Sequence, residues 1–102
     1  MKEIKAVIQP YKLDDVLLAL RAVEGLPAAI VSECRVAAEH GDPIHEILKT
    51  KLEIIVGNEK VDGVVDIIRR AACTGHSGDG RILVIDVERS VSIRTGEEAS
   101  GG

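Results

Sequence analysis

Residues 74–81 read Thr-Gly-His-Ser-Gly-Asp-Gly-Arg, placing three glycines within six residues. Glycine reaches positive φ without strain and lets backbone N–H groups approach a ligand closely, so such a turn can cradle an anion. Arg81 closes the segment with a forked donor suited to phosphate. Alone, the motif is weak, and a stretch of this composition reads first as a plain connection. The apolar run Ile82–Val87 and the block Ser92-Ile93-Arg94-Thr95-Gly96-Glu97 that follow make the combination more specific. A second cluster, His40, Asp42, His45 and Glu46, supplies imidazole and carboxylate within seven residues, which suits a transition metal. No regular element fixes its geometry, so it also reads as solvated loop. No Ser/His/Asp or paired-carboxylate arrangement is evident, and His76 with Asp79 in a glycine loop is too little for catalysis. The expectation is a binding protein, not an enzyme.

The elements that must position these residues fall into two similar halves. Ile4, Ala6 and Ile8 alternate with Lys5, Val7 and Gln9, predicting a strand over 2–9 that Pro10 ends. Asp14 and Asp15 suit a helix first turn, and Val16, Leu17, Leu20 and Val23 draw its apolar stripe up to Gly25 and Pro27. A second strand is expected over 29–36, then a polar loop over 38–43. The pattern repeats. A strand over 49–56 is followed by Asn58 as N-cap, and Val61, Val64, Val65, Ile68 and Ala72 form a second helical stripe. Gly75 is its terminator, and Arg81–Val87 forms the fourth strand. The order βαββαβ predicts an α+β, ferredoxin-like sandwich, with a short extra C-terminal strand at 91–94 extending the sheet.

The chain of 102 residues fits one domain, small enough that self-association across the uncovered sheet face would help bury apolar surface. Its core must be aliphatic, because Tyr11 is the only aromatic. A net charge of −4 and the lack of aromatics argue against nucleic acid. The absence of an apolar run of spanning length or a signal-like amino terminus argues for a cytoplasmic protein with no direct membrane insertion. Cys34 and Cys73 stand apart and read as two reduced thiols.

Several blocks together carry a family resemblance. Met1-Lys2-Glu3-Ile4, Pro10-Tyr11-Lys12-Leu13-Asp14-Asp15-Val16, Val31-Ser32-Glu33 and Lys51-Leu52-Glu53-Ile54-Ile55-Val56 resemble the PII nitrogen-regulatory signalling proteins. The likeness is strongest in Thr74-Gly75-x-x-Gly78-Asp79-Gly80-Arg81-Ile82-x-Val84-x-Asp86-Val87 and Ile93-Arg94-Thr95-Gly96-Glu97-Glu98. It implies a PII-like domain over 1–97 with a flexible tail over 98–102, assembled as a homotrimer. It also implies adenine nucleotide (ADP, AMP or ATP) as an effector in clefts between subunits, and control of a transporter or enzyme by direct contact. By position, Gly78, Asp79, Gly80 and Arg81 match the phosphate-holding B-loop, and Thr74 and Gly75 its entry. Arg94 matches the second of two arginines that reach the phosphates from a neighbouring subunit. Lys49 matches a lysine that helps bind a small anion. Arg94 also reads as an exposed strand charge, and Lys49 as a solvated edge residue.

The departures are equally informative. Ser92 stands where the first of the two arginines would be, and His76 where lysine is frequent. The connection Ala37–Leu48, through which the partner would be engaged, is shorter than the family's T-loop and lacks its modifiable tyrosine. Arg35-Val36-Ala37-Ala38 replaces a glycine-rich entry, and the glutamine that helps hold Mg²⁺ and 2-oxoglutarate has no clear counterpart. The requirement for Mg²⁺ therefore stays open. A divergent PII-like protein is expected, with bicarbonate as co-effector and Lys49 and Arg35 as candidate cations. The alternatives are a metal-responsive regulator beside an efflux system, with His40 and His45 as ligands, or a 2-oxoglutarate-sensing nitrogen regulator.

Overall fold

Alternation at the amino terminus produces β1 (Lys2–Ile8), which buries Ile4, Ala6 and Ile8 on one face. The computed structural model describes residues 1–37 and 46–100. Pro10 opens a 3₁₀ turn that leads into α1 (Leu13–Leu20), with Asp14 and Asp15 in its first turn where the helix dipole favours acids. The helix stops before Val23. Arg21, Ala22 and Val23 donate to the carbonyls three residues back at 3.2, 3.3 and 3.0 Å, a tightened end that still packs Val23 against the core. β2 (Ile30–Ala37) and β3 (Glu46–Val56) follow. α2 (Val61–Ala72) then buries Val64, Ile68 and Ala72, and β4 (Gly80–Asp86) completes the repeat.

The four strands lie in the order β2-β3-β1-β4, every neighbouring pair antiparallel. This is the α+β ferredoxin-like arrangement expected from the element order. The core lies between one sheet face and the two helices. Ile4, Ala6 and Ile8 meet Leu52, Ile54 and Val56 from β3, with Val16 and Leu20 of α1 and Val64, Ile68 and Ala72 of α2 above them. Each fully buried aliphatic side chain contributes about 1.5–3 kcal/mol of transfer free energy. The opposite face leaves Ile55, Leu83 and Ile85 exposed at 38, 43 and 38%.

Two expectations are corrected. Asn58 does not cap α2. It opens a 3₁₀ turn (Asn58–Lys60), Lys60 takes the cap position of α2, and the Asn58 Oδ1 accepts from the Met1 amino group at 2.6 Å. The C-terminal strand does not extend the sheet. β5 (Arg89–Val91) instead pairs with β6 (Glu98–Ser100) in a separate two-stranded ribbon, so 98–100 are strand where a tail is predicted. The cause is local. Ser92 N donates to Glu97 O and Gly96 N to Ser92 O at 2.9 and 2.8 Å, and Gly96 takes φ +73°. The backbone therefore reverses across 93–95, where a continuing strand would have to stay extended.

Candidate functional site

The loop between α2 and β4 is held by its own carboxylate. Asp79 accepts from Thr74 N at 2.8 Å, from Gly75 N at 2.9 Å and from the Thr74 hydroxyl, while His76 N donates to Thr74 Oγ1 at 3.2 Å. The Thr74 hydroxyl bond is the main reason the Asp79 carboxyl sits below the usual carboxylate range. The Thr74 amide acts in the same sense, desolvation opposes both, and the Gly75 amide and the nearby His76 add smaller lowering effects. Gly75, Gly78 and Gly80 all take positive φ, at +84, +89 and +107°. Gly80 has a second, steric requirement. A Cβ there would lie 1.7 Å from the Val7 carbonyl oxygen, because Gly80 pairs with Ile8 where β4 begins against β1.

Lys49 reaches this loop from β3. Its ammonium donates to Gly78 O at 2.5 Å and to Gln9 Oε1 at 3.0 Å, and the residue is 6% exposed. It is thus a buried clamp between two strands and the loop, not a solvated edge residue. Gln9 is the partner that sequence reasoning missed. The β1–β3 register pairs Ile8 with Thr50, and one further step sets Gln9 opposite Lys49.

Arg35 is not brought to Lys49. In the β2–β3 register Cys34 faces Lys49 and Arg35 faces Leu48, so strand alternation sends the two cations to opposite faces. Arg35 pairs instead with Glu46 at 3.2 Å. Arg94 lies in the turn over 93–95, beside Ile93, which is fully exposed. His40 and His45 lie outside the described residues, and no group of three metal-ligating side chains occurs among the described ones.

Beside the loop, at the edge formed by β4, is a cavity of 290 Å³. Val7, Ile8, Val65, Ala72, Cys73 and Ile82 give it an aliphatic lining, and Asp79, Gly80, Arg81 and Arg69 surround them. Neither Arg81 nor Arg94 has a carboxylate partner among the described residues, whereas Asp79 is occupied by the loop. The arrangement offers an apolar slot next to backbone amides and an available guanidinium. That combination suits a ligand with a flat apolar body and an anionic group.

This fold and loop define a class of small regulatory proteins. A family model described as nitrogen regulatory protein P-II matches residues 1–97. The nitrogen regulatory protein P-II of Bradyrhizobium diazoefficiens is 41% identical over 107 residues, covering 95% of each chain. That of Pasteurella multocida is 42% identical over 108 residues, covering 96% of each, and P-II 1 of Escherichia coli K12 is 43% identical over 108 residues with the same coverage. The chain belongs to the P-II family, whose members are regulatory signalling proteins. The matched spans of 107 and 108 positions exceed the 102 residues of the chain, so the relatives carry residues that it lacks. No helix among the described residues is long and apolar enough to cross a membrane.

Proposed function

We propose that this protein is a P-II-type regulator that binds an adenine nucleotide at the boundaries of a homotrimer and transmits its presence to a transporter or enzyme. The observation that carries the reading is the Asp79-braced glycine loop beside the aliphatic cavity, with Arg81 available at its edge. The loop amides and Arg81 hold the phosphates from one subunit, and Arg94 reaches them from a neighbour. The base lies against aliphatic side chains, since no aromatic lines the cavity. Trimer formation covers Ile55, Leu83 and Ile85 on the open sheet face and gives Ile93 a partner surface. Ser92 helps close its turn and offers no cation to a third phosphate, so ADP and AMP bind at least as well as ATP.

Bicarbonate is the proposed co-effector. Lys49 is a buried ammonium with two neutral acceptors and no carboxylate partner among the described residues, which leaves its charge for a compact monovalent anion. A dicarboxylate such as 2-oxoglutarate needs cations at both ends, and Arg35 is engaged with Glu46 on the opposite face. Nucleotide and anion together select an arrangement of the connection between β2 and β3, shorter than the expected Ala37–Leu48 because Ala37 and Glu46–Leu48 are paired strand, and the partner reads it by population shift through differential affinity.

Calorimetry with ADP, AMP and ATP tests the reading, alongside light scattering for the trimer mass. Loss of a charge-assisted phosphate contact in Arg81→Ala should weaken binding about tenfold or more, with a similar loss in Arg94→Ala. Unchanged affinity in both variants, or a monomeric mass at micromolar concentration, would overturn it. Titrating nucleotide-loaded protein with bicarbonate and with 2-oxoglutarate decides the co-effector. Tight 2-oxoglutarate binding without a bicarbonate effect would identify a nitrogen sensor instead.

A further inference from the structure

We infer that Arg69 is a second phosphate ligand, lining the same cavity as Arg81. The inference rests on the nucleotide reading above. Its basis is a mismatch between helix pattern and residue type. Val65, Arg69 and Ala72 recur at helical spacing on one stripe of α2, and all three line the cavity together with Cys73. On a stripe whose other members, Val65 and Ala72, are aliphatic, position 69 carries a charge instead. Arginine puts a planar donor at the rim of the slot.

The charge arrangement around Arg69 points the same way. Its one carboxylate neighbour among the described residues, Asp66, is 3.7 Å away and gives its other oxygen to Arg70 at 2.8 Å. Arg70 is therefore the satisfied member of the pair. Arg69 is the more loosely held of the two, although both side chains are 66% exposed. Among the described residues the cavity lining thus carries two guanidinium groups and a single carboxylate, Asp79, whose oxygens already accept from Thr74 and Gly75. A ligand bearing at least one phosphate restores the balance. A neutral nucleoside brings no charge to that lining. Recognition by two planar forks also favours the geometry of phosphate oxygens over a spherical halide.

The experiment compares AMP, ADP and adenosine binding by calorimetry in the full-length wild type, Arg69→Ala, Arg69→Lys, Arg70→Ala and Arg81→Ala. Arg69→Ala should weaken AMP and ADP about tenfold, as expected for one lost charge-assisted contact, with Arg69→Lys recovering part of the loss. Arg70→Ala should stay within about twofold, as for an exposed side chain away from the ligand. Adenosine affinity should not respond to Arg69→Ala. Circular dichroism of Arg69→Ala should match the wild type, because the replaced side chain is exposed and alanine favours helix. If Arg81→Ala loses nucleotide while Arg69→Ala does not, the inference on Arg69 fails and the nucleotide site stands. If the wild type binds none of the three ligands, both fail. An equal loss of adenosine and AMP in Arg69→Ala would reassign Arg69 to packing against the base and overturn its role as a phosphate ligand.

Discussion

Replacing Gly80 by alanine probes the point where the loop is joined to the sheet. The added Cβ would sit 1.7 Å from Val7 O, 2.8 Å from Val7 C and 3.4 Å from Ile8 Cα. All three are backbone atoms of the central strand, so no side-chain rotation relieves the contact. Alanine at φ +107° also carries conformational strain of about 1–3 kcal/mol. Relief requires β4 to lift from β1 at the Ile8–Gly80 and Val7–Arg81 pairs, with the loss of ladder bonds worth about 0.5–1.5 kcal/mol each. The total, about 3 kcal/mol or more, is a large share of the roughly 5–15 kcal/mol by which domains are stable. Gly75→Ala is the control. Its φ of +84° imposes comparable strain, but nothing lies within 4 Å of the added carbon. Urea denaturation at one fixed protein concentration should show Gly80→Ala costing about 2 kcal/mol more than Gly75→Ala. Hydrogen exchange should accelerate at the Val7 to Arg81 pairing. Equal destabilisation of the two variants would refute the backbone-contact argument and leave φ alone as the reason for glycine at position 80.

Two further outcomes follow from the same structure. The Asp79 carboxyl is held below its ordinary value by donors that exist only in the folded loop, so its contribution is fully present above the unfolded carboxylate pKa and is lost as pH falls through the lower folded value. Its NMR titration midpoint should therefore lie below 3.8 and rise toward it in Thr74→Val, whereas a midpoint at or above 3.8 in the wild type would contradict the brace. Gly63, exposed within α2 with nothing within 4 Å of an added Cβ and no positive φ, should accept alanine with a gain of about 0.5–1 kcal/mol in urea denaturation. A loss there would mean that the position is packed against another subunit.

Much of this molecule was legible before any coordinate. The alternation of Ile4, Ala6 and Ile8 and the stripe through Val64, Ile68 and Ala72 dictated which faces are buried, because strand and helix periods differ and each admits one apolar side. The glycines at 75, 78 and 80 marked the loop, since only glycine tolerates those backbone angles cheaply. Strand register, by contrast, is a long-range property. It set Gln9 beside Lys49, turned Lys49 from a supposed edge residue into a buried clamp, and separated Arg35 from it by one step of the pleat. The ribbon of β5 and β6 also escaped prediction, because three-residue strands carry too short a pattern to reveal their partner. Cavity lining came last and only from packing. Val7, Val65 and Ile82 are far apart in the chain, and a slot between them exists only once β4 has docked beside β1 under α2. Local sequence thus determined the elements and the loop chemistry. The tertiary structure alone decided which charges stand together, because distance between side chains depends on pairing across the sheet and not on spacing along the chain.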